Sequence, residues 1–400
     1  MKKICVMGLG YIGLPTASIL ATKGYMVHGV DVAQKVVDII NSGGIHIVEP
    51  DLDILVKAAV GSGKLKAALK PAEADVFFIC VPTPFKEGYR PDMRFVEEAT
   101  EAIVPYVKKG NLVILESTSP VGSCDDIIAP ILKKTGLVIG EEVFIAHAPE
   151  RVLPGHILKE TIENDRIIGG INDRSSQICA DLYRTFVKGN IYLTNARTAE
   201  LAKLVENSYR DVNIAFANEL ANICDELDID VWELIALANR HPRVKILSPG
   251  PGVGGHCLAV DPWFIVDSVP QKARLIRTAR EINEARPHVI FEKVKELAKK
   301  FKKPVIGCLG VSYKPDIDDI RESPALEIVR MLMKEKVGEV LVHDPYLAGH
   351  ALEFKGTELD ELLSRSDILV LLVNHTPYYA IDKKLLNEKA LVDTRGIFRK

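Results

Sequence analysis

The chain has 400 residues, with 51 Lys+Arg against 54 Asp+Glu and a formal net charge of −3. Near-neutral charge offers no basic footprint for nucleic acid, and the length suits two or three domains with sizeable cores. Seven cysteines without a C-x-x-C pair, and ten histidines without an H-E-x-x-H spacing, argue for a reducing compartment and against a zinc site, a dithiol redox motif or metal catalysis.

Lys2 and Lys3 precede an uncharged stretch, Ile4 to Thr22, with the outline of a signal peptide or a short membrane span. Gly8, Gly10, Gly13 and Pro15 within it instead write a strand, a tight turn and a helix start. No other segment approaches the ~18 apolar residues of a span, so the expectation is a cytoplasmic protein with no membrane association. Strands are predicted at Ile4–Met7, Val27–Val30, Val76–Val81, Leu112–Leu115 and Val143–Ala146. Helical patterns lie between them, for instance Met93–Tyr106 capped by Asp92. Strands alternating with helices of this length mean βαβ units and a mostly parallel sheet.

From about Thr194 the pattern changes. Ala196–Leu227 is an unbroken helical pattern without Gly or Pro, followed by Val231–Asn239, the loop SPGPGVGGHC (Ser248–Cys257) and a helical stretch around Lys272–Glu284. The lysine-rich run Lys293–Lys303 alternates with apolar residues at helical spacing and reads as a solvated helix face. The βα alternation then returns: Val305–Leu309, helix Ala325–Lys334, Val340–His343, Ile368–Val373 and Leu391–Val392. Asp344 after the second of these strands echoes Asp31 after Val30. The predicted class is α/β, two Rossmann-like α/β domains joined by a long-helix central domain, with boundaries at 1–194, 195–300 and 301–400.

Gly8-Leu9-Gly10-Tyr11-Ile12-Gly13 fits G-x-G-x-x-G between a strand and a helix. The first glycine permits the turn, the second a close approach to a pyrophosphate, and the third close helix–strand packing. The helix N-terminus offers N–H groups to phosphate. A plain glycine turn is the alternative, but Asp31 stands where an acid would bond ribose hydroxyls. Its charge opposes a 2′-phosphate, which favours NAD over NADP. Three polar segments follow predicted strands and would gather on one rim: Val81-Pro82-Thr83-Pro84, Glu116-Ser117-Thr118 and Ala148-Pro149-Glu150-Arg151. Turn formation is the plainer reading of each alone, but three converging on one rim favour a functional one.

Lys203, Asn207 and Arg210 are spaced i, i+4, i+7 on the long helix. Leu201, Leu204, Val205 and Val212 make that helix largely apolar, so deep burial is expected, and a lysine there needs a partner or a task. Cys257 sits in a glycine-flanked loop followed by Asp261, whereas Cys5, Cys80 and Cys308 read as small buried hydrophobes. NAD with a nucleophilic cysteine implies oxidation through a thioester.

GLGYIGLPTA, VPTPF, ILESTSPVG, PERVLPG, TAELAKLVENSYRDVNIAFANEL, PGPGVGGHCLAVDPWFIV, YKPDIDDIRESPALEI and VDTRG together resemble the UDP-glucose/GDP-mannose dehydrogenase family across essentially the whole chain. The resemblance implies oxidation of a nucleotide sugar at C6 to a carboxylate with two NAD per sugar. Cys257 would capture the aldehyde, Lys203 would stabilise the oxyanion with Asn207 beside it, and Thr118, Glu150 and Asp261 would relay protons and position water. Gly8, Gly10, Tyr11, Ile12, Gly13, Asp31, Thr83 and Thr118 would contact NAD, with Arg321 reaching it from the same or a neighbouring subunit. For the UDP-sugar the matching residues are Arg151, Val152, Lys203, Asn207, Arg210, His241, Arg243, Gly254, Tyr313, Lys314 and Arg395. Val253-Gly254-Gly255-His256 and Ala259-Val260-Asp261 depart from the UDP-glucose branch and favour a UDP-N-acetylhexosamine, specifically the N-acetylmannosamine branch. Another UDP-N-acetylhexosamine, such as the glucosamine epimer, or UDP-glucose is the alternative substrate, and a non-catalytic NAD-binding sensor is the alternative of a different class. The middle helices would form a homodimer or higher oligomer.

Overall fold

A computed structural model of the chain describes residues 2–153, 155–255, 257–347 and 352–398. It divides into two units, Met1–Glu206 and Asn207–Lys400. In the first, ten strands form: β1 (Lys3–Met7), β2 (Met26–Val30), β3 (Leu65–Ala68), β4 (Val76–Ile79), β5 (Phe85–Lys86), β6 (Arg90–Pro91), β7 (Leu112–Leu115), β8 (Phe144–His147), β9 (Arg166–Gly170) and β10 (Ile191–Asn195). β4 (VFFI) and β7 (LVIL) are buried at every position. That is why these strands are unbroken apolar runs: helices cover both faces of the sheet.

Eight of these strands make one sheet in the order β10-β9-β8-β7-β4-β1-β2-β3. The run from β3 to β8 is parallel, and β8 meets β9 antiparallel. β5 and β6 pair as a separate short ribbon. Strand order reverses between β1 and β4, the switch point where ligands of doubly wound sheets lie.

The predicted strands of this unit all form, with ends shifted by one or two residues. Three others have weak local signals. β3 (LKAA) is a short edge, β9 (RIIGG) carries a buried arginine and two glycines, and β10 is a half-exposed edge. The predicted helix after Asp92 forms as Arg94–Ile103, continued by a tighter turn through Tyr106.

The long helical pattern is one 31-residue helix, Ala196–Glu226, about 46 Å at 1.5 Å per residue. The expectation of deep burial needs correction. Leu204 is buried, but Leu201 is 39% and Val205 47% exposed. The helix is apolar on more than one face, and this chain covers only part of that surface.

The second unit continues with helices Val231–Ala238, Asp261–Ser268 and Arg274–Ala298. Its strands β11 (Val305–Leu309), β12 (Glu339–His343), β13 (Ile368–Leu371) and β14 (Ala390–Asp393) form a parallel sheet in the order β12-β11-β13-β14. Helix Arg274–Ala298 runs past Glu284 and through Pro287 into the lysine-rich stretch. There Lys293 pairs with Asp225, and Lys299 with Glu296, as a solvated face should. Helix Pro324–Lys334 starts cleanly because Ser323 Oγ accepts from Leu326 N and proline occupies its first position.

Candidate active site

β1 delivers the glycine loop to the switch point. Gly8 has φ +90°, and a Cβ there would lie 2.8 Å from the Cys80 carbonyl oxygen. At Gly13 a Cβ would come within 1.9 Å of Gly8 O, so helix Gly13–Thr22 rests directly on the loop. Above Gly10, by contrast, no atom lies within 4 Å of the Cβ position. Two glycines are thus required by the protein itself, and the third borders open space where a pyrophosphate fits. Asp31 is fixed by accepting from Leu9 N at 3.2 Å and Ala33 N at 3.0 Å, which ties this carboxylate to the glycine loop. Asp31→Asn is expected to weaken NAD binding and narrow the preference over NADP by about tenfold, read from titrations with both cofactors.

The predicted rim is stitched together. Thr83 Oγ1 donates to Thr118 O at 2.6 Å, and Ser117 Oγ donates to Val81 O at 2.6 Å. Glu150 is buried, with Oε2 2.7 Å from Arg166 Nη2 and Oε1 accepting from Arg151 N. Arg151 itself grips Glu206 with Nε at 3.0 Å and Nη2 at 2.5 Å. Any phosphate it binds must compete with that carboxylate. Tyr11 is exposed, and Ile12, Val152 and Lys203 are half-buried. His147, which the sequence reading passed over, is wholly buried. Burial pushes it down to about 3, Leu115 backbone bonding opposes this, and the Lys203 charge adds to it. It is a neutral imidazole at physiological pH.

In the second unit the cysteine loop is tied at both ends. Gly250 N donates to Asn218 Oδ1 at 2.8 Å, and Arg286 Nε donates to Gly250 O at 3.1 Å. Asn218 Nδ2 donates to Asn283 Oδ1, Asn283 Nδ2 to Asp211 Oδ1 at 2.9 Å, and Arg280 Nη1 meets the same oxygen at 2.7 Å. At the far end Asp261 N donates to Cys257 O at 2.8 Å. The buried Asp261 carboxylate opens helix Asp261–Ser268 and accepts from Asn207 Nδ2 at 2.5 Å. Cys257 is exposed, and the other six cysteines are buried. Asn218, Asn283, Asp211 and Arg280 had no local signal, since their partners lie 32 to 72 residues away.

Gly254 and Gly255 press on Tyr313: Cβ atoms there would approach its side chain to 2.9 and 2.8 Å. Arg395 lies against Gly250, whose Cβ would come 2.7 Å from Nη1. Burial takes this guanidinium down to about 10, which leaves it cationic. The unit therefore gathers Asn207, Gly254, Cys257, Asp261, Tyr313 and Arg395 on or beside one loop. Arg210, His241 and Arg243 are exposed, Lys314 is half-buried, and Arg321 is held by Asp319 in a two-point pair.

The Asp344 echo holds in atomic detail. Asp344 Oδ2 accepts from Val311 N at 2.8 Å and Ser312 N at 3.1 Å, and Gly310 has φ +83°. The next helix begins only at Pro324, however, so no helix N-terminus stands behind this loop to receive phosphate. Ser312, His375 and Asp344 lie together, but Nε2 of His375 meets both the serine and the aspartate while Nδ1 accepts from Asp316 N. A proton relay needs them on opposite nitrogens. This group locks the strand ends.

A doubly wound sheet with a glycine loop at its switch point and an acid after the second strand defines a Rossmann-type dinucleotide-binding domain. Family models of the UDP-glucose/GDP-mannose dehydrogenases match here: NAD binding domain at residues 2–187, central domain at 197–285, UDP binding domain at 307–400. The chain belongs to the UDP-glucose/GDP-mannose dehydrogenase family, and NAD is its cofactor. It is 54% identical over 407 residues to an NDP-N-acetyl-D-galactosaminuronic acid dehydrogenase of Ralstonia solanacearum, covering 99% of this chain and 96% of that one. To a UDP-N-acetyl-D-mannosamine dehydrogenase of Campylobacter jejuni it is 51% identical over 394 residues, covering 95% and 97%. The solved UDP-D-ManNAc dehydrogenase of Pyrococcus horikoshii superposes with a TM-score of 0.91 at 41% identity, covering 99% and 96%. Among the described residues no helix is long and apolar enough to cross a membrane.

Proposed function

We propose that this NAD-dependent nucleotide-sugar dehydrogenase oxidises UDP-N-acetyl-D-mannosamine at C6 to UDP-N-acetyl-D-mannosaminuronate, with two NAD per sugar. The observation that carries the covalent part is Cys257: a thiol presented to solvent from a loop tied down at both ends, while six others are buried. NAD, when bound, supplies the hydride acceptor for both oxidations. Lys203 takes the alcohol proton and steadies developing negative charge. Cys257 Sγ adds to the aldehyde carbon to give a thiohemiacetal, and loss of a second hydride leaves a thioester. Water then adds to that carbonyl, and the C–S bond breaks to release the carboxylate and restore the thiol. Asp261, held by Asn207, Thr118 and Glu150 position the water and carry protons. Arg151, Val152, Arg210, His241, Arg243, Gly254, Tyr313, Lys314 and Arg395 bind the UDP-sugar, the cations matching a diphosphate.

The 54% relative favours a second reading, a galactosamine-type N-acetylhexosamine. NADH formation with UDP-linked N-acetylmannosamine, N-acetylgalactosamine, N-acetylglucosamine and glucose, with products identified by mass, separates the two. The first is expected to lead in kcat/KM by about tenfold or more, and a lead for N-acetylgalactosamine would replace the reading by the second. Three functional parts, 1–194, 195–300 and 301–400, are proposed to divide the work. The apolar row Leu201, Val205, Tyr209, Phe216 and Ile223, each at least 39% exposed, supports a homodimer formed through the long helix. An exposed thiol in the reaction suits the reducing cytoplasm.

A further inference from the structure

Thr118 and Lys203 come from different parts of the first unit, one from the loop after β7 and the other from the long helix. The residue that ties these two parts together is Glu200. It stands three residues before Lys203 on the helix Ala196–Glu226, so the two side chains share a face one turn apart. Glu200 is 0% exposed. Its Oε2 accepts from Gly122 N at 2.5 Å and its Oε1 from Cys124 N at 2.9 Å. The Cys124 thiol bonds the same carboxylate. Both backbone donors are more than 70 residues away in the chain, so no local pattern announces the contact.

The loop is shaped to meet that carboxylate. Gly122 has φ +96°, and a Cβ there would lie 2.3 Å from Asp126 Oδ2, so only glycine makes the turn that leads into the helical segment Ser123–Ile128. Ser123 Oγ closes the turn by donating to Pro120 O at 2.7 Å. Only Ser119, Pro120 and Val121 separate Thr118 from Gly122. On its other side Thr118 O accepts from Thr83 Oγ1 at 2.6 Å. Thr118 is thus held between two anchors, Thr83 on the rim and Glu200 on the helix of Lys203. Arg197 also pairs with Asp125 and Asp126, but at the surface, where such pairs contribute little. Glu200 differs, because its removal leaves two buried N–H groups without an acceptor.

We propose that Glu200 is a positioning residue of this dehydrogenase: it locks the Thr118 loop to the helix turn that carries Lys203, and so fixes the threonine hydroxyl and the lysine amine in one frame around the reacting alcohol. Glu200 acts through these two residues and exchanges no proton with the sugar. The lock matters because a displacement of about 1 Å between reacting groups can cost about a hundredfold in rate. That consequence for turnover rests on the functional reading above; the lock itself does not.

Glu200→Gln keeps the size of the side chain but offers one acceptor in place of two, with its NH2 facing the second N–H. Backbone deuterium exchange, read by mass spectrometry, is expected to rise about tenfold in the peptide spanning 117–124 and to stay as it was in β4 and β7. With a UDP-sugar and NAD, kcat should fall about ten- to a hundredfold while the KM for the sugar stays within about threefold. In a Thr118→Ala background the same substitution should cost less than about twofold further, because the hydroxyl it positions is gone. Glu200→Asp keeps the charge but is one methylene shorter; it should give the same pattern in milder form, which keeps the test decisive should Glu200→Gln not fold. Unchanged exchange at 117–124, exchange rising throughout the sheet, an unchanged kcat, an equal loss with and without Thr118, or a fully active Thr118→Ala overturns the proposal. Failure of the functional reading would look different: the wild type would form no NADH from any UDP-sugar while the exchange difference persisted, leaving the lock and withdrawing its consequence.

Discussion

Cys257→Ala is expected to lower uronate formation by about a thousandfold or more, with no covalent adduct at any time in turnover. The residue is exposed, and the loop is held by Gly250 and by the Asp261–Asn207 pair. Thermal stability should therefore stay within a few degrees of wild type, so that lost activity cannot be ascribed to unfolding. Cys257→Ser distinguishes the steps. Its hydroxyl is a poorer nucleophile, and an ester is harder to hydrolyse than a thioester. The variant should stall near one NADH per sugar or accumulate an acyl-enzyme visible by intact mass. Two NADH per sugar at the wild-type rate in the alanine variant would reject the covalent route and leave direct hydration of the aldehyde.

Arg280→Met is expected to cost about 3–5 kcal/mol, because it strands the carboxylate of a wholly buried Asp211. Arg280 also reaches Glu284, which holds the Trp263 indole, so the loss spreads to helix Asp261–Ser268 and the cysteine loop before it. The sign of the pH dependence is set. Burial already raises Asp211 above the ordinary aspartate range despite Arg280, and removal of the cation raises it further. The contribution of a group raised in this way is lost as pH rises, so the deficit in urea midpoint should be larger at pH 8 than at pH 5. Asp211→Asn in the Arg280→Met background should recover much of the loss. A deficit below about 1 kcal/mol would show that the ion pair does not hold the loop.

The dinucleotide loop was legible because its requirements are local. Gly8 and Gly13 are dictated by atoms of the loop itself and of the adjacent Cys80, and Asp31 follows at a spacing that one βαβ unit sets. Cys257 stood out for a similar reason: its glycines and the following Asp261 lie within a few residues. Continuous apolar runs gave β4, β7 and β13, since strands buried on both faces admit no polar positions. β9 escaped because Arg166 opens it and two glycines close it, leaving two isoleucines as its apolar signal, and the partner of that arginine, Glu150, follows another strand.

The sequence by itself thus determined the α/β class, the place of the NAD loop and the identity of the candidate nucleophile, all properties written within a window of a few residues to one βαβ unit. Only the tertiary structure decided which side chains hold those parts in place. The ladder from Asp211 through Arg280, Asn283 and Asn218 to Gly250, the grip of Arg151 on Glu206, and the buried pair of Glu150 with Arg166 join residues far apart in the chain. Periodicity records which face of an element is apolar; it carries no record of which polar group on a distant element will meet it. A buried polar group is satisfied only by the partner that folding brings within hydrogen-bond reach, and that partner is a property of the packed chain.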